Sequence, residues 1–112
     1  MNNFFREHHQ LIFQEWISPS EAKGAKVLDL GSQTGWLGEY CMMHGAADYV
    51  GVEIDEFHII DSRNHYPNLT FYNNHNNIPK ILKERKRVRV CYFNPKRIGR
   101  YGVGDKKLWI TE

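Results

Sequence analysis

A chain of 112 residues, 41% hydrophobic and 25% charged, is the size of one domain with one modest core. It has no apolar run near the roughly 20 residues that cross a bilayer, and "MNNFFREHHQ" lacks the basic start and apolar stretch of a secretion signal. The net charge of +2 conceals a split: residues 1–79 carry 4 Lys/Arg against 10 Asp/Glu, a balance of −6, and residues 80–112 carry 11 against 3, a balance of +8.

The elements follow in chain order. Phe4, Phe5, Leu11, Ile12 and Trp16 recur at helical spacing in "NFFREHHQLIFQEWIS", which predicts an N-terminal helix with one apolar stripe. "SPSEAKGA" reads as a linker, so residues 1–20 form a helix and the start of that linker. "KVLDL" is a short apolar strand cut off by Gly31. "GWLGEYCMMHGA" is a helix with Leu37, Tyr40, Cys41 and His44 on one side and Gly45 as its stop. "DYVGVEID" is a second strand, and "EFHIIDSRNHYPN" a short helix ended by Pro67. "LTFYNN" is a third strand, and "IPKILKERK" a basic helix opened by Pro79. "RVRVCYF" is a fourth strand, ended by Asn94-Pro95. A glycine-rich turn, "RIGRYGVGDKK", precedes a terminal strand, "LWIT". Cys41 and Cys91 lie in apolar segments, which predicts two reduced, buried thiols in a cytoplasmic protein.

Strands alternating with helices predict an α/β fold. The expected form is a Rossmann-like three-layer sandwich with a shortened, mostly parallel sheet of four or five strands, one domain over residues 1–112, with residues 80–112 as its basic C-terminal part. Ligands of such sheets sit at the carboxyl ends of the strands, where the strand order reverses. "DLGSQTGWLG", residues 29–38, falls at the end of the first strand. A glycine turn from strand into helix lets a ligand approach the backbone closely, and its N–H groups favour an anionic group. A carboxylate about 20 residues on can accept from two ribose hydroxyls, and Glu53 stands 22 residues after Gly31 at the end of the second strand. The dinucleotide fingerprint G-x-G-x-x-G fails, because Gln33 and Trp36 occupy its later glycine positions.

"KVLDLGSQTGW" followed by "GADYVGVEID" resembles the opening half of the class I S-adenosylmethionine-dependent methyltransferases. Their first motif is an acidic residue, x, Gly, x, Gly, x, Gly; here Asp29, Gly31, Gln33 and Gly35 hold those places, with the middle glycine replaced. The resemblance implies that Asp29, Gly31, Ser32, Gln33, Gly35 and Trp36 surround the methionine part of the cofactor. It also implies that Glu53 binds the ribose hydroxyls, that Ile54 packs on the adenine, and that Asn73 or Asn74 meets the adenine amine. Amine methyltransferases carry Asn/Asp-Pro-Pro-aromatic after the fourth strand. This chain keeps Asn94-Pro95 and continues with Lys96 and Arg97, so Asn94 is a candidate catalytic residue and a plain strand-ending turn is the structural alternative.

The resemblance covers roughly residues 10–95, whereas family members continue with three more strands that carry most of the substrate site. In the full fold a fifth strand covers the fourth. Here "LWIT" is available to return antiparallel, and without it the fourth strand is an open edge. A homodimer or a partner chain is therefore expected to complete the fold, and the opposed charges of the two halves suit such a contact. The basic region Lys80–Arg100 reads as a solvated helix face or as a nucleic-acid contact. Six histidines show no HExxH or CxxC pairing, so no metal site is expected. Trp36 and Phe57 read as core or rim residues rather than cofactor stackers, and Trp16 as helix packing rather than part of a lid. Three functions follow: a minimal methyltransferase, a non-catalytic or degenerate S-adenosylmethionine-binding protein, and a small basic nucleic-acid-binding module.

Overall fold

The computed structural model describes residues 3–85, 88–98 and 104–110, with side chains for residues 9–85 and 88–91. Helix α1 (Asn3–Trp16) and a one-turn helix α2 (Pro19–Ala22) come first. Strands and helices then alternate: β1 (Lys26–Leu30), α3 (Trp36–Met43), β2 (Asp48–Val52), α4 (Glu56–His65), β3 (Thr70–Tyr72), α5 (Ile78–Glu84), β4 (Val88–Ile98) and β5 (Gly104–Ile110).

The five strands form one sheet in the order β3-β2-β1-β4-β5. The first four are parallel and β5 is antiparallel to β4. The chain runs outward from β1 to β3 and then crosses back to β4, so strand order reverses between β1 and β4. Successive residues of a strand face opposite sides, and the apolar pairs of this sequence use both. Val27, Tyr49, Phe71 and Cys91 pack with Ile12, Phe13, Leu37, Tyr40 and Ile59 from α1, α3 and α4. Leu28, Val50, Val52, Val88 and Val90 pack with Ile81 of α5. The result is the α/β three-layer sandwich expected of alternating elements. Cys41 and Cys91 are free thiols, both buried. No described helix is long and apolar enough to cross a membrane.

Four local expectations are corrected. Leu11 is 48% exposed, and α1 instead turns Ile12 and Phe13 inward, with His9 and Trp16 beside them. The helix rotates this way because Phe13 packs against Tyr40 of α3 and His9 meets Trp36 edge to face. "SPSEAKGA" contains α2, whose capping box joins Ser18 Oγ to the Glu21 N–H at 3.2 Å and Glu21 Oε1 to the Ser18 N–H at 2.9 Å. Strand β4 does not end at Asn94-Pro95 but continues to Ile98. Its ladder becomes irregular between Asn94 and Ile98, where a residue without an N–H is tolerated. Finally, β5 begins at Gly104, absorbing residues assigned to the turn, and it covers β4. The side chains of Phe4, Phe5 and Asn94 lie outside the described side chains, and residues 99–103 of the glycine-rich segment lie outside the described residues.

Ser18→Ala removes the oxygen that satisfies the first turn of α2. It is expected to lower unfolding free energy by about 1 kcal/mol in urea titration, with an unchanged slope.

Candidate cofactor site

The turn that follows β1 is held against the end of β2. The Gly31 and Ser32 N–H groups both donate to the Val52 carbonyl, at 2.8 and 3.1 Å, and the Gly35 N–H closes the turn onto the Ser32 carbonyl at 2.9 Å. Its glycines serve two purposes. Gly31 has φ 76°, and a Cβ there would meet no atom within 4 Å, so its backbone borders open space. Gly35 has φ 90°, and a Cβ would come 2.8 Å from Phe71 Cζ, so the ring has taken the side chain's place.

Between them Gln33 is a non-glycine residue at φ 51°, a left-handed conformation that costs free energy unless the surroundings impose it. Two side chains impose it. Glu53 Oε1 accepts from the Gln33 N–H at 2.9 Å, and Ser62 Oγ, fully buried on α4, donates toward the Gln33 carbonyl at 2.7 Å. The same hydroxyl lies 2.7 Å from the His58 carbonyl. The second Glu53 oxygen accepts from the Asp55 N–H at 2.9 Å. Glu53 is only 8% exposed, yet a carboxylate offers about four acceptor positions and two backbone donors use half of them.

Asp29 lies inside the core beneath the turn. It is fully buried, and its Oδ2 accepts from the Tyr49 hydroxyl at 2.6 Å. Burial, reinforced by the Asp29 charge, raises the Tyr49 pKa well above its ordinary value. Burial likewise pushes Tyr40 up to about 12; its hydroxyl donates to the Ile17 carbonyl at 2.8 Å. Ser32 Oγ is buried and has no hydrogen-bond partner. A buried hydroxyl without a partner costs free energy, and such groups invite a structural or functional explanation.

The remaining sequence-derived residues separate clearly. Ile54, next to Glu53, is 65% exposed. Asn73 reaches the same place, donating its amide nitrogen to the Glu53 and Ile54 carbonyls at 3.0 and 3.2 Å. Asn74 instead caps a 3-10 turn, accepting from the Asn76 N–H at 2.7 Å. Trp36 turns away to α1, edge-on to His9 with ring centroids 4.3 Å apart. Asn94 lies within β4, opposite Asp105 of β5. No group of three or more His, Cys, Asp or Glu among the described residues is placed to hold a metal ion. Sequence reasoning missed Ser62 and Tyr49. Ser62 is one polar residue in a short helix, and nothing in its spacing marks it. Tyr49, a polar aromatic three residues before the valine that ends β2, alternates in phase with Asp29 and could have been paired with it.

The chain is similar over part of its length to S-adenosylmethionine-dependent methyltransferases of known structure. One, from Mesorhizobium loti, is 27% identical, matches 46% of this chain and 24% of its own, and gives a TM-score of 0.42. A second, from Listeria monocytogenes and provisionally described as such an enzyme, is 20% identical over 65% of this chain and 33% of its own, with a TM-score of 0.49. A third, from Pyrococcus horikoshii and provisionally described as an RNA methyltransferase, is 18% identical over 79% of this chain and 57% of its own, with a TM-score of 0.47. The chain thus spans between a quarter and three-fifths of the length of these structures. No protein-family model and no curated protein matches it. All three scores lie below one half, and the geometry of the turn is what bears on function.

Removing the Ser62 hydroxyl strands the Gln33 carbonyl. Ser62→Ala is expected to cost about 1–2 kcal/mol of stability and to speed amide hydrogen exchange at Gln33 and Gly35 more than elsewhere in the sheet. Alkaline titration tests the Tyr49 pair. Above about pH 10 the unfolded chain releases phenolic protons that the folded chain retains, so stability, level below that pH, falls as pH rises. Each such tyrosine adds at most about 1.4 kcal/mol per pH unit to the fall. Tyr49→Phe is expected to lose about 2 kcal/mol at neutral pH, because Asp29 loses a donor, and to fall less steeply above pH 10 than the parent chain.

Proposed function

We propose that the turn between β1 and α3 is a cradle for S-adenosylmethionine and that the chain is a methyltransferase-like cofactor-binding unit. The observation that carries this reading is the meeting of Glu53 with the turn. A nearly buried carboxylate at the carboxyl end of β2 stands hydrogen-bonded to the Gln33 N–H at the end of β1. In sheets of this kind, that is where a carboxylate meets ribose hydroxyls. The neighbouring groups fit the rest of the cofactor. Ser32 Oγ waits without a partner, Gly31 borders open space, and exposed Ile54 offers apolar surface for a purine ring. Asn73, which donates to the Ile54 carbonyl, supports the reading as a polar neighbour of that ring. Asp29 serves from below by fixing the end of β1 to Tyr49.

Bound there, the sulfonium supplies an electrophilic methyl group with its leaving group already attached, so the protein's task is alignment. Groups that hold a methyl acceptor are assigned to a second copy or a partner chain together with Asn94, whose place in β4 lies beyond the Asp29–Cys91 pair at the same end of the sheet.

Calorimetric titration with S-adenosylmethionine tests the cradle. Glu53→Ala is expected to bind about 10- to 150-fold more weakly, from losing an acceptor worth roughly 1.5–3 kcal/mol, while circular dichroism shows the fold retained. Ser32→Ala separates cradle from scaffold: removing a hydroxyl with no partner leaves stability unchanged or raised, and weakens cofactor binding. A folded parent chain that gives no heat at millimolar cofactor overturns the proposal. Light scattering is expected to show mass rising with concentration if a second copy completes the unit.

A further inference from the structure

The pairing of β4 changes part-way along its length. Against β1 it pairs only from Val88 to Cys91, where Cys91 stands level with Asp29. Against β5 it pairs from Arg89 to Ile98. Residues Tyr92–Ile98 with Gly104–Lys107 therefore form a two-stranded ribbon, with no third strand beside it among the described residues. Seven residues of strand reach roughly 23 Å. Because β1 and β4 are parallel, the ribbon leaves the sheet at the end where β1 runs into the Gly31 turn. It also starts from the strand that borders the reversal of strand order.

The composition of this ribbon is unusual for the chain. Strands β4 and β5 together hold Arg89, Lys96, Arg97, Lys106 and Lys107 against the single acidic residue Asp105. Tyr92 stands directly across from Lys107, and Phe93 directly across from Lys106. An aromatic residue and a cation thus occupy each of two successive register positions, one on each face of the ribbon. Just after α5, Arg85 pairs with Asp48 and Glu84, and Lys80 of α5 approaches Glu84 at 3.9 Å. The ribbon residues 92–98 and 104–107 add Lys96, Arg97, Lys106 and Lys107 against Asp105.

We infer that the β4–β5 ribbon is a binding arm for single-stranded nucleic acid. Aromatic rings give unpaired bases a stacking surface, and lysines set beside them meet the phosphates, a combination that reads strands without requiring sequence. A duplex hides its base faces and offers only the phosphates. The arm would present a strand at the edge where the Gly31 turn opens; its use as a methyl acceptor there rests on the proposed cofactor reading, whereas binding does not.

Fluorescence anisotropy of the full chain with labelled single strands of about 12 nucleotides, RNA and DNA, against the matching duplex tests the arm. Single strands of either sugar are expected to bind more tightly than the duplex. Lys106→Ala with Lys107→Ala is expected to reduce the salt slope of log affinity by about 1.4, two phosphate contacts on a single strand. Tyr92→Ala is expected to weaken binding about tenfold with its circular dichroism and urea midpoint unchanged, which a merely structural role for the ring would not give, and Tyr92→Phe to restore it. Calorimetry with S-adenosylmethionine stays unchanged in the lysine pair, and strand binding stays unchanged in Glu53→Ala, so the two readings fail separately. Equal binding of the duplex, displacement of the strand by inorganic polyphosphate at matched phosphate concentration, or loss of binding through Lys80→Ala with Lys83→Ala but not through the ribbon lysines would each overturn the inference.

Discussion

Gln33 adopts a backbone conformation that its own side chain disfavours, and it does so because a carboxylate from β2 and a hydroxyl from α4 grip its N–H and carbonyl from opposite sides. Three elements that are far apart in sequence meet at this one peptide. Without the grip the turn keeps its bonds to the Val52 carbonyl but loses what fixes Gln33. With the grip in place, Gly31 keeps its open side and Gly35 keeps Phe71 against its α-carbon. The shape of the candidate site is thus set by hydrogen bonds to one residue more than by the glycine pattern itself.

The floor beneath that turn is equally constrained. Gly51 follows Tyr49 on the same face of β2, and a Cβ there would come 2.8 Å from Ser32 Cβ and 2.7 Å from Phe71. The turn can therefore settle onto β2 only because position 51 has no side chain. Asp29 and Tyr49 then tie β1 to β2 one layer deeper, in the helix-covered half of the core. A buried carboxylate is costly unless it is bonded, and a short bond from a buried phenol is an effective remedy. Site and core share residues throughout this corner, which explains why so many of its polar groups are buried.

What the sequence revealed and what it withheld follow from the range of the interactions involved. The order of elements, the parallel sheet and the two buried cysteines are local or periodic features, and they were legible. So was the spacing from Gly31 to Glu53, because both residues lie at the ends of neighbouring strands. The rotation of α1 was not legible, since Leu11 and Phe13 are equally apolar and the choice between them is made by Tyr40 on another helix. The capping box in "SPSE" is legible in the letters, but the helix it opens is a single turn, too short to show a periodic apolar pattern. Ser62 could not have been found, because its partner is a backbone carbonyl 29 residues away. Asn94-Pro95 misled for a related reason: proline stops a strand in the middle of a sheet, but here the strand had already left β1 and had only β5 beside it.

That last point changes the meaning of the chain's uneven charge. An acidic first part and a basic second part, read as composition, suit an internal contact as well as an external one. The topology distinguishes them. Asp48 and Glu84 already pair with Arg85, just after α5, and Lys80 of α5 approaches Glu84, so part of the attraction is satisfied within the fold. Strands β4 and β5, in contrast, hold five basic residues against one acidic residue, and their paired outer part extends beyond the pairing with β1. Charge on a two-stranded ribbon beyond the pairing with β1 bears on the inferred strand binding, at the carboxyl edge of the sheet. The strand order puts that edge at the Gly31 turn, so attraction by the ribbon and close approach at the turn act at the same end of the molecule.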